Sequence, residues 1–82
     1  MGPVGQTVKN YILEEFLPGE DPEELTASTP LVSTGILDSL ATLKLAQFLE
    51  REFDIQMEPH ELDEEHIGTI AAIEQLVLSK QQ

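Results

Sequence analysis

The sequence predicts an all-α protein, a four-helix bundle of three main helices and one short helix, with a long loop between the first and second helices. Apolar residues make up 40% of the 82 residues. They recur with helical spacing, and no stretch alternates as a strand would. The length corresponds to a single domain, residues 1–82. A domain this small buries only about 60–65% of its unfolded surface, so we expect no deep catalytic cavity.

The first helix is predicted over residues 4–17. Val8, Ile12 and Phe16 recur every four residues and therefore share one face of a helix. Pro18-Gly19 is a sequence that ends a helix.

The connection over residues 18–37 contains three prolines and two glycines. A connection this long within a compact domain tends to be functional. Residues 23–25 favour a short helical turn. We expect four apolar side chains to hold the connection against the core: Leu25, Leu31, Ile36 and Leu37.

The second helix is predicted over residues 39–53, with Asp38 as its N-cap. It carries more apolar residues than one buried stripe needs, so some must face solvent or a partner. We expect Leu43 and Leu49 to supply the buried stripe and Leu40 to lie in a docking surface. The apolar set is Leu40, Leu43, Leu45, Ala46, Phe48, Leu49 and Phe53.

Pro59 suits the first turn of a short third helix, which we predict over residues 59–65. Gly68-Thr69 opens the last helix, with Thr69 as its cap. Lys80 near the end of that helix suits the helix dipole. Its buried stripe is predicted to be Ile70, Ile73, Leu76 and Val77.

The chain is strongly acidic, with 16 acidic residues against 4 basic ones and a formal net charge of −12. Such a chain repels phosphate backbones and anionic membranes, so we expect it to bind neither. Partners with basic patches would be attracted. Composition alone leaves open whether the acidity attracts such partners or only keeps the protein in solution.

The chain contains no cysteine, so any thiol that it uses must come from another molecule. No apolar run approaches the roughly 18 residues of a membrane span. No secretion signal is visible, and we expect a cytoplasmic monomer.

The most informative stretch is residues 35–40, which read Gly-Ile-Leu-Asp-Ser-Leu. Ser39 lies in the first turn of the second helix, where free N–H groups and partial positive charge favour a phosphate diester. An ordinary serine in a capping region would fit this position equally well. A catalytic serine is disfavoured, since the stretch is not a Gly-x-Ser-x-Gly elbow and the nearest histidine, His60, is far along the chain.

This stretch resembles the modification motif of acyl and peptidyl carrier proteins, whose Asp-Ser-Leu appears here as Asp38-Ser39-Leu40. The resemblance covers nearly the whole chain, including the order of helices and the long loop. Three other short stretches share it: Thr29-Pro30-Leu31, Phe53-Asp54-Ile55 and Thr69-Ile70.

The resemblance implies that Ser39 receives 4′-phosphopantetheine from coenzyme A. A phosphopantetheinyl transferase and magnesium would do that chemistry, with Asp38 helping to place the metal and coenzyme A. The thiol of the arm would hold an acyl or aminoacyl group as a thioester and present it to acyl-processing or acyl-transfer enzymes. On this interpretation the chain is a carrier and not an enzyme.

The outward positions of the second helix include Lys44 and Arg51, whereas carriers of bacterial fatty acid synthesis have a strongly acidic second helix. The sequence looks more like free-standing carriers paired with a dedicated adenylating ligase, such as D-alanyl and prolyl carriers. That likeness implies a specialised pathway. The predicted docking residues are Leu40, Ala41, Lys44, Gln47 and Glu50.

A second hypothesis is an acidic helical interaction module without a prosthetic group, in which Ser39 is only structural. We predict no metal site. The stretch from His60 to His66 is not a His-Glu-x-x-His motif, and histidines six residues apart are expected on different faces of a helix.

Overall fold

The structure, a computed structural model, describes residues 1–81 and contains no strand within them. The predicted all-α bundle of three main helices and one short helix is confirmed. Gln82, the last residue of the predicted domain, lies outside the described residues. The helices are α1 (Pro3–Phe16), a 3₁₀ helix (Pro22–Glu24), α2 (Ser39–Phe53), a second 3₁₀ helix (Pro59–Glu61), α3 (Glu64–Ile67) and α4 (Ile70–Lys80).

One apolar core joins all four α-helices and the long connection. Leu25, Leu31 and Leu37 of the connection are buried as predicted, and Ile36 is half-buried. No polar or charged side chain is buried among residues 1–81. The buried set is Val8, Ile12, Leu25, Leu31, Leu37, Ala41, Leu45, Ala46, Leu49, Met57, Ile67, Ile70, Ile73 and Val77.

Helix α4 approaches α1 and α3 closely along their backbones, and α2 stands further from the other helices. Large rings fill the wider space between α1 and α2. Tyr11 stacks on Phe48 with ring centroids 4.0 Å apart. Phe16 meets Tyr11 edge-on, and Phe53 meets Phe48 in the same way. All four rings are half-buried, so Phe16 and Phe53 lie at the edge of the core rather than inside it.

A carboxylate from the first half of α4 joins this helix to the start of α1. The backbone N–H groups of Gly2 and Gly5 donate to Glu74 at 3.0 and 2.7 Å. Those N–H groups have no partner within their own helix, so Glu74 caps α1 from the neighbouring helix.

The third helix is not continuous over residues 59–65 as predicted. It divides into the second 3₁₀ helix and α3 because Asp63 begins a new helix. Asp63 has extended backbone, and its carboxylate accepts the N–H of His66 at 2.9 Å. Glu61 closes the preceding turn by accepting the N–H of Glu58 at 2.8 Å, and it also pairs with Lys80 at 2.8 Å.

The start of α4 matches the prediction, since the Thr69 hydroxyl accepts the N–H of Ala72 at 3.1 Å. Ile70, Ile73 and Val77 are buried, and Leu76 is half-buried. None of the helices in residues 1–81 is long and apolar enough to cross a membrane.

The second half of the long connection is held by hydrogen bonds within itself and by one hydrogen bond to Gly68, at the end of α3. Leu31 donates its N–H to the carbonyl of Gly68 at 2.8 Å, and Leu37 donates to the carbonyl of Leu31 at 2.9 Å. The Thr34 hydroxyl donates to the carbonyl of Pro30 at 2.7 Å. These bonds fix the segment that leads into α2.

Candidate functional site

The start of α2 is held by Asp38. Its backbone is extended, and its Oδ1 accepts the N–H of Ala41 at 2.8 Å. Its carbonyl accepts the N–H of Thr42, also at 2.8 Å. The predicted N-cap is therefore confirmed, and Ser39 is the first residue of the helix.

Ser39 is exposed at the surface of the protein. The N–H groups of Ser39 and Leu40 donate to no protein group among residues 1–81. Two free donors and the positive end of a 15-residue helix therefore surround an accessible hydroxyl. This environment stabilises a phosphate group joined to the hydroxyl oxygen.

Two shallow grooves of 500 Å³ each begin beside Asp38. The serine groove contains Ser39 and has apolar walls that would contact a narrow chain leaving the hydroxyl. It is lined by Val32, Leu37, Asp38, Ser39, Thr42 and Leu62.

The α1 groove lies between the end of α1, the connection and the start of α2. Its main apolar contributors are Leu17, Ile36 and Leu40, and Glu15 and Lys44 add opposite charges. Lys44 lies 3.6 Å from Glu15, so the predicted docking cation is paired within the protein.

The outward face of α2 differs from the prediction at Ala41. This residue is only 6% exposed and belongs to the core, because Ala41, Leu45 and Leu49 recur every four residues along the buried stripe. Its expected outward position is wrong. Leu43, expected in the core, is instead 52% exposed, and Leu40 is 62% exposed.

The other predicted docking residues lie in different environments. Lys44 and Gln47 are exposed. Glu50 is half-buried, and its carboxylate accepts the N–H of Met57 at 2.9 Å, which ties the following loop to α2. The outer stripe of α2 is therefore led by Leu40 and Leu43, with Lys44 and Gln47 beside them.

The acidic charge lies mainly before α2 and from the last turn of α2 onward in the chain. Six acidic residues fall within positions 14–24 and eight within positions 50–65, whereas positions 39–49 hold none. Positions 39–49 of α2 therefore present an apolar and mildly basic face, and Glu50 and Glu52 add acidic charge only in the last turn of the helix.

The two histidines meet edge to face, with ring centroids 6.3 Å apart, so the expected separation onto different faces is wrong. Asp63 lies 2.7 Å from Nδ1 of His66. The hydrogen bond from His66 lowers the pKa of Asp63, and the bond to Asp63 raises the pKa of His66.

Asp63, Glu65 and His66 lie close enough to meet one ion. Asp63 and Glu65 are exposed and His66 is half-buried, and clusters of this kind are common on acidic surfaces without a metal.

Comparison with known proteins agrees with this geometry. The sequence pattern of the family described as "Phosphopantetheine attachment site" matches residues 8–77. No curated protein matches the chain.

Two solved structures share its fold. A chain in "Crystal structure of FAD-dependent dehydrogenase" is 28% identical with a TM-score of 0.77, over 85% of this chain and 97% of that one. The chain of "Structure of KstB-PCP(apo)" is 27% identical with a TM-score of 0.66, over 89% of this chain and 80% of that one.

Proposed function

The chain belongs to the family of phosphopantetheine attachment domains, and from this premise we propose that Ser39 is the residue that carries the prosthetic group. A member of this family is a carrier protein and not itself a catalyst. The observation that supports Ser39 is an exposed hydroxyl beside two free N–H groups at the start of α2. When bound, 4′-phosphopantetheine supplies a thiol on a flexible arm, to which an acyl or aminoacyl group is joined as a thioester.

Ser39 and Asp38 have separate roles in this proposal. The helix start around Ser39 holds the phosphate through backbone donors and the helix dipole. Asp38 uses Oδ1 for the cap, and its other carboxylate oxygen makes no hydrogen bond among the described residues. That oxygen can contact the magnesium of a phosphopantetheinyl transferase, which prefers carboxylate ligands.

The serine groove fits the arm in chemical character. Val32, Leu37 and Leu62 supply apolar walls, and Thr42 supplies a hydroxyl for the polar groups of the arm. No rearrangement of the core is needed, because the groove is open at the surface beside Ser39.

We propose that partner enzymes dock on the exposed stripe of α2. Leu40 and Leu43 would supply the apolar contact, with Lys44 and Gln47 at its border. This exposed stripe contains no acidic residue, so it fits poorly with a partner enzyme that recognises negative charge on this helix. We therefore infer a specialised pathway, in which a dedicated adenylating ligase loads the acyl or aminoacyl group.

A flavin enzyme is one candidate among the later partners. The chain matched in the FAD-dependent dehydrogenase crystal structure is small, since this 82-residue protein covers 97% of it. We infer that an enzyme of that class acts on the carried group, removing two hydrogen atoms that pass to FAD. The test is the mass of the carried group before and after incubation with such an enzyme, which should fall by two hydrogens.

The attachment site is tested by intact mass. The purified apo-protein is incubated with coenzyme A, magnesium and a broad-specificity phosphopantetheinyl transferase. We expect a gain of one phosphopantetheine group in the native chain and in Ser33→Ala, a matched change at an exposed serine of the connection that precedes α2. The gain should be absent in Ser39→Ala.

Two results would contradict the proposal. A native chain that gains no mass, while a known carrier is modified in parallel, would exclude the modification. A gain that persists in Ser39→Ala would place it on another residue.

A further inference from the structure

A third pocket, of 240 Å³, lies between the end of α1 and the long connection. Its floor is apolar, formed by Leu13, Leu17, Leu25 and Ile36, and its rim is acidic, formed by Glu20, Asp21 and Glu24. Thr29 completes the lining, and we refer to these eight residues as the acid-rimmed pocket.

Local structure brings the acids to this rim. Gly19 has a φ of +87°, a conformation that favours glycine, and it turns the chain back after α1. Asp21 then caps the first 3₁₀ helix by accepting the N–H of Glu23 at 2.9 Å. Leu25 follows and is buried, so the acidic turn is held directly above an apolar floor.

No basic side chain of residues 1–81 forms an ion pair with Glu20, Asp21 or Glu24. Lys44, which lines the neighbouring α1 groove, pairs with Glu15 instead. Three carboxylates around one apolar depression therefore have no internal counter-charge.

An apolar floor with an anionic rim selects one kind of ligand. A cation on an alkyl stem would bury the stem against the leucines and keep its charge at the rim, as lysine side chains do on protein surfaces. Lysine suits the site better than arginine because its four-carbon stem is flexible and its charge is compact.

The position of the pocket indicates where such a side chain comes from. Leu17 and Ile36 line both this pocket and the α1 groove, which also contains Asp38 and Leu40. A protein that covers the α1 groove to reach Ser39 would therefore extend to the acidic rim.

We propose that the acid-rimmed pocket receives a lysine side chain from an enzyme that docks beside Ser39. The identity of this partner rests on the proposed function, whereas the preference of the pocket for an alkylammonium group does not. Attraction between this lysine and the acidic rim would replace the charge contact that the outward face of α2 lacks.

The test is titration of the apo-protein, labelled with ¹³C at the methyl groups of Leu, Ile and Val, with the peptide acetyl-Ala-Lys-Ala-amide. We expect weak, saturable methyl shifts at Leu13, Leu17, Leu25 and Ile36, with a dissociation constant on the order of millimolar for so small a ligand. The same peptide with norleucine in place of lysine should shift these methyls far less. Added salt should weaken the lysine response, since exposed charges are screened.

The variant Glu20→Gln/Glu24→Gln neutralises the rim without changing its shape. It should weaken lysine-peptide binding by about three- to tenfold, as loss of two exposed charge contacts implies. Glu14→Gln/Glu23→Gln is the matched control, because it removes the same charge from exposed residues outside the pocket and should leave binding nearly unchanged.

Equal shifts with both peptides, equal weakening by both variants, or shifts confined to the serine groove would overturn the proposal. Shifts that follow protein concentration without peptide would identify a second copy of the chain as the occupant and overturn it too. The titration uses the apo-protein, so its outcome is independent of whether Ser39 is modified.

Discussion

The two sides of this bundle are built in different ways. Helix α4 packs closely against α1 and α3, and two side-chain contacts, from Glu74 to α1 and from Lys80 to Glu61, reinforce that side. Helix α2 is held at a greater distance by stacked rings and by a cap at its start. The difference shows how a domain this small keeps the start of α2 accessible: the buried stripe of α2 joins the common core, and its other face leaves Ser39, Leu40 and Leu43 exposed.

The largest expected effect is the difference in stability between truncating a buried residue of α4 and truncating an exposed residue of α2. Ile73→Ala on α4 removes a fully buried side chain and should lower the free energy of unfolding by about 2–5 kcal/mol. Leu43→Ala on α2 should change it by no more than about 0.5 kcal/mol but slow the reaction of a docking partner. Urea denaturation measures the free energy of unfolding of both variants, and the reaction rate with a partner enzyme measures the effect of Leu43→Ala on docking. Equal destabilisation by the two variants would contradict this prediction.

A second prediction concerns the rings that hold α2. Phe48→Ala should lower the free energy of unfolding by about 2 kcal/mol, less than for a fully buried ring, because Phe48 is half-buried. Tyr11→Phe keeps the stack and loses only the bond from the Tyr11 hydroxyl to the carbonyl of Lys44, so it should cost about 0.5 kcal/mol. Thermal unfolding followed by circular dichroism compares the two, and a larger loss in Tyr11→Phe would show that the hydroxyl bond, not the stack, holds α2.

A third prediction distinguishes the two roles of Asp38. Asp38→Ala removes the cap and should cost about 1 kcal/mol. Asp38→Asn retains a capping oxygen, so stability should be nearly unchanged while the transferase reaction slows through loss of the charge. Denaturation and the rate of mass gain are measured on both variants. Full transferase activity in Asp38→Asn would exclude contact between this carboxylate and the metal.

The smallest predicted effect lies on the closely packed side and depends on pH. Hydrogen bonding to Lys80 lowers the pKa of Glu61 below its ordinary value of 4.5. The pair therefore stabilises the fold above pH 4.5, and this contribution is lost as pH falls through the folded pKa.

Lys80→Met should cost about 0.5–1 kcal/mol at pH 7, and the difference from the native chain should shrink below pH 4. Denaturation at several pH values checks this. Lys9→Met is the control, since Lys9 forms no ion pair among residues 1–81. A difference that persists at pH 3 would assign the loss to packing rather than charge.

Much of the fold is predictable from local signals. Residues 39–53 and their Asp38 cap match α2 residue for residue, because a capping side chain and a change in periodicity coincide there. The sequence pattern does not reveal the break in the third helix, because Asp63 resembles the other acidic residues of a solvated helix. Its capping role depends on whether the chain before it turns.

The side of α2 that faces the core is harder to predict from the sequence, because apolar residues cover most of the circumference of this helix. Two buried stripes are plausible from the sequence: one contains Leu40 and Leu43, and the other contains Ala41, Leu45 and Leu49. Only tertiary packing determines that the second stripe is the buried one. The grooves and the acid-rimmed pocket could not be predicted either. They depend on how the long connection folds, which composition alone does not determine.

The hydrogen bonds of that connection have a consequence for Ser39 at long range. Gly68 holds Leu31, Leu31 holds Leu37, and Leu37 directly precedes the Asp38-Ser39 pair. A methyl group at Gly68 would clash with the carbonyl oxygen of Glu64, so α3 would have to move. The position of Ser39, the proposed attachment residue, therefore depends on Gly68, and we expect a substitution at Gly68 to reduce loading while every residue around Ser39 is unchanged.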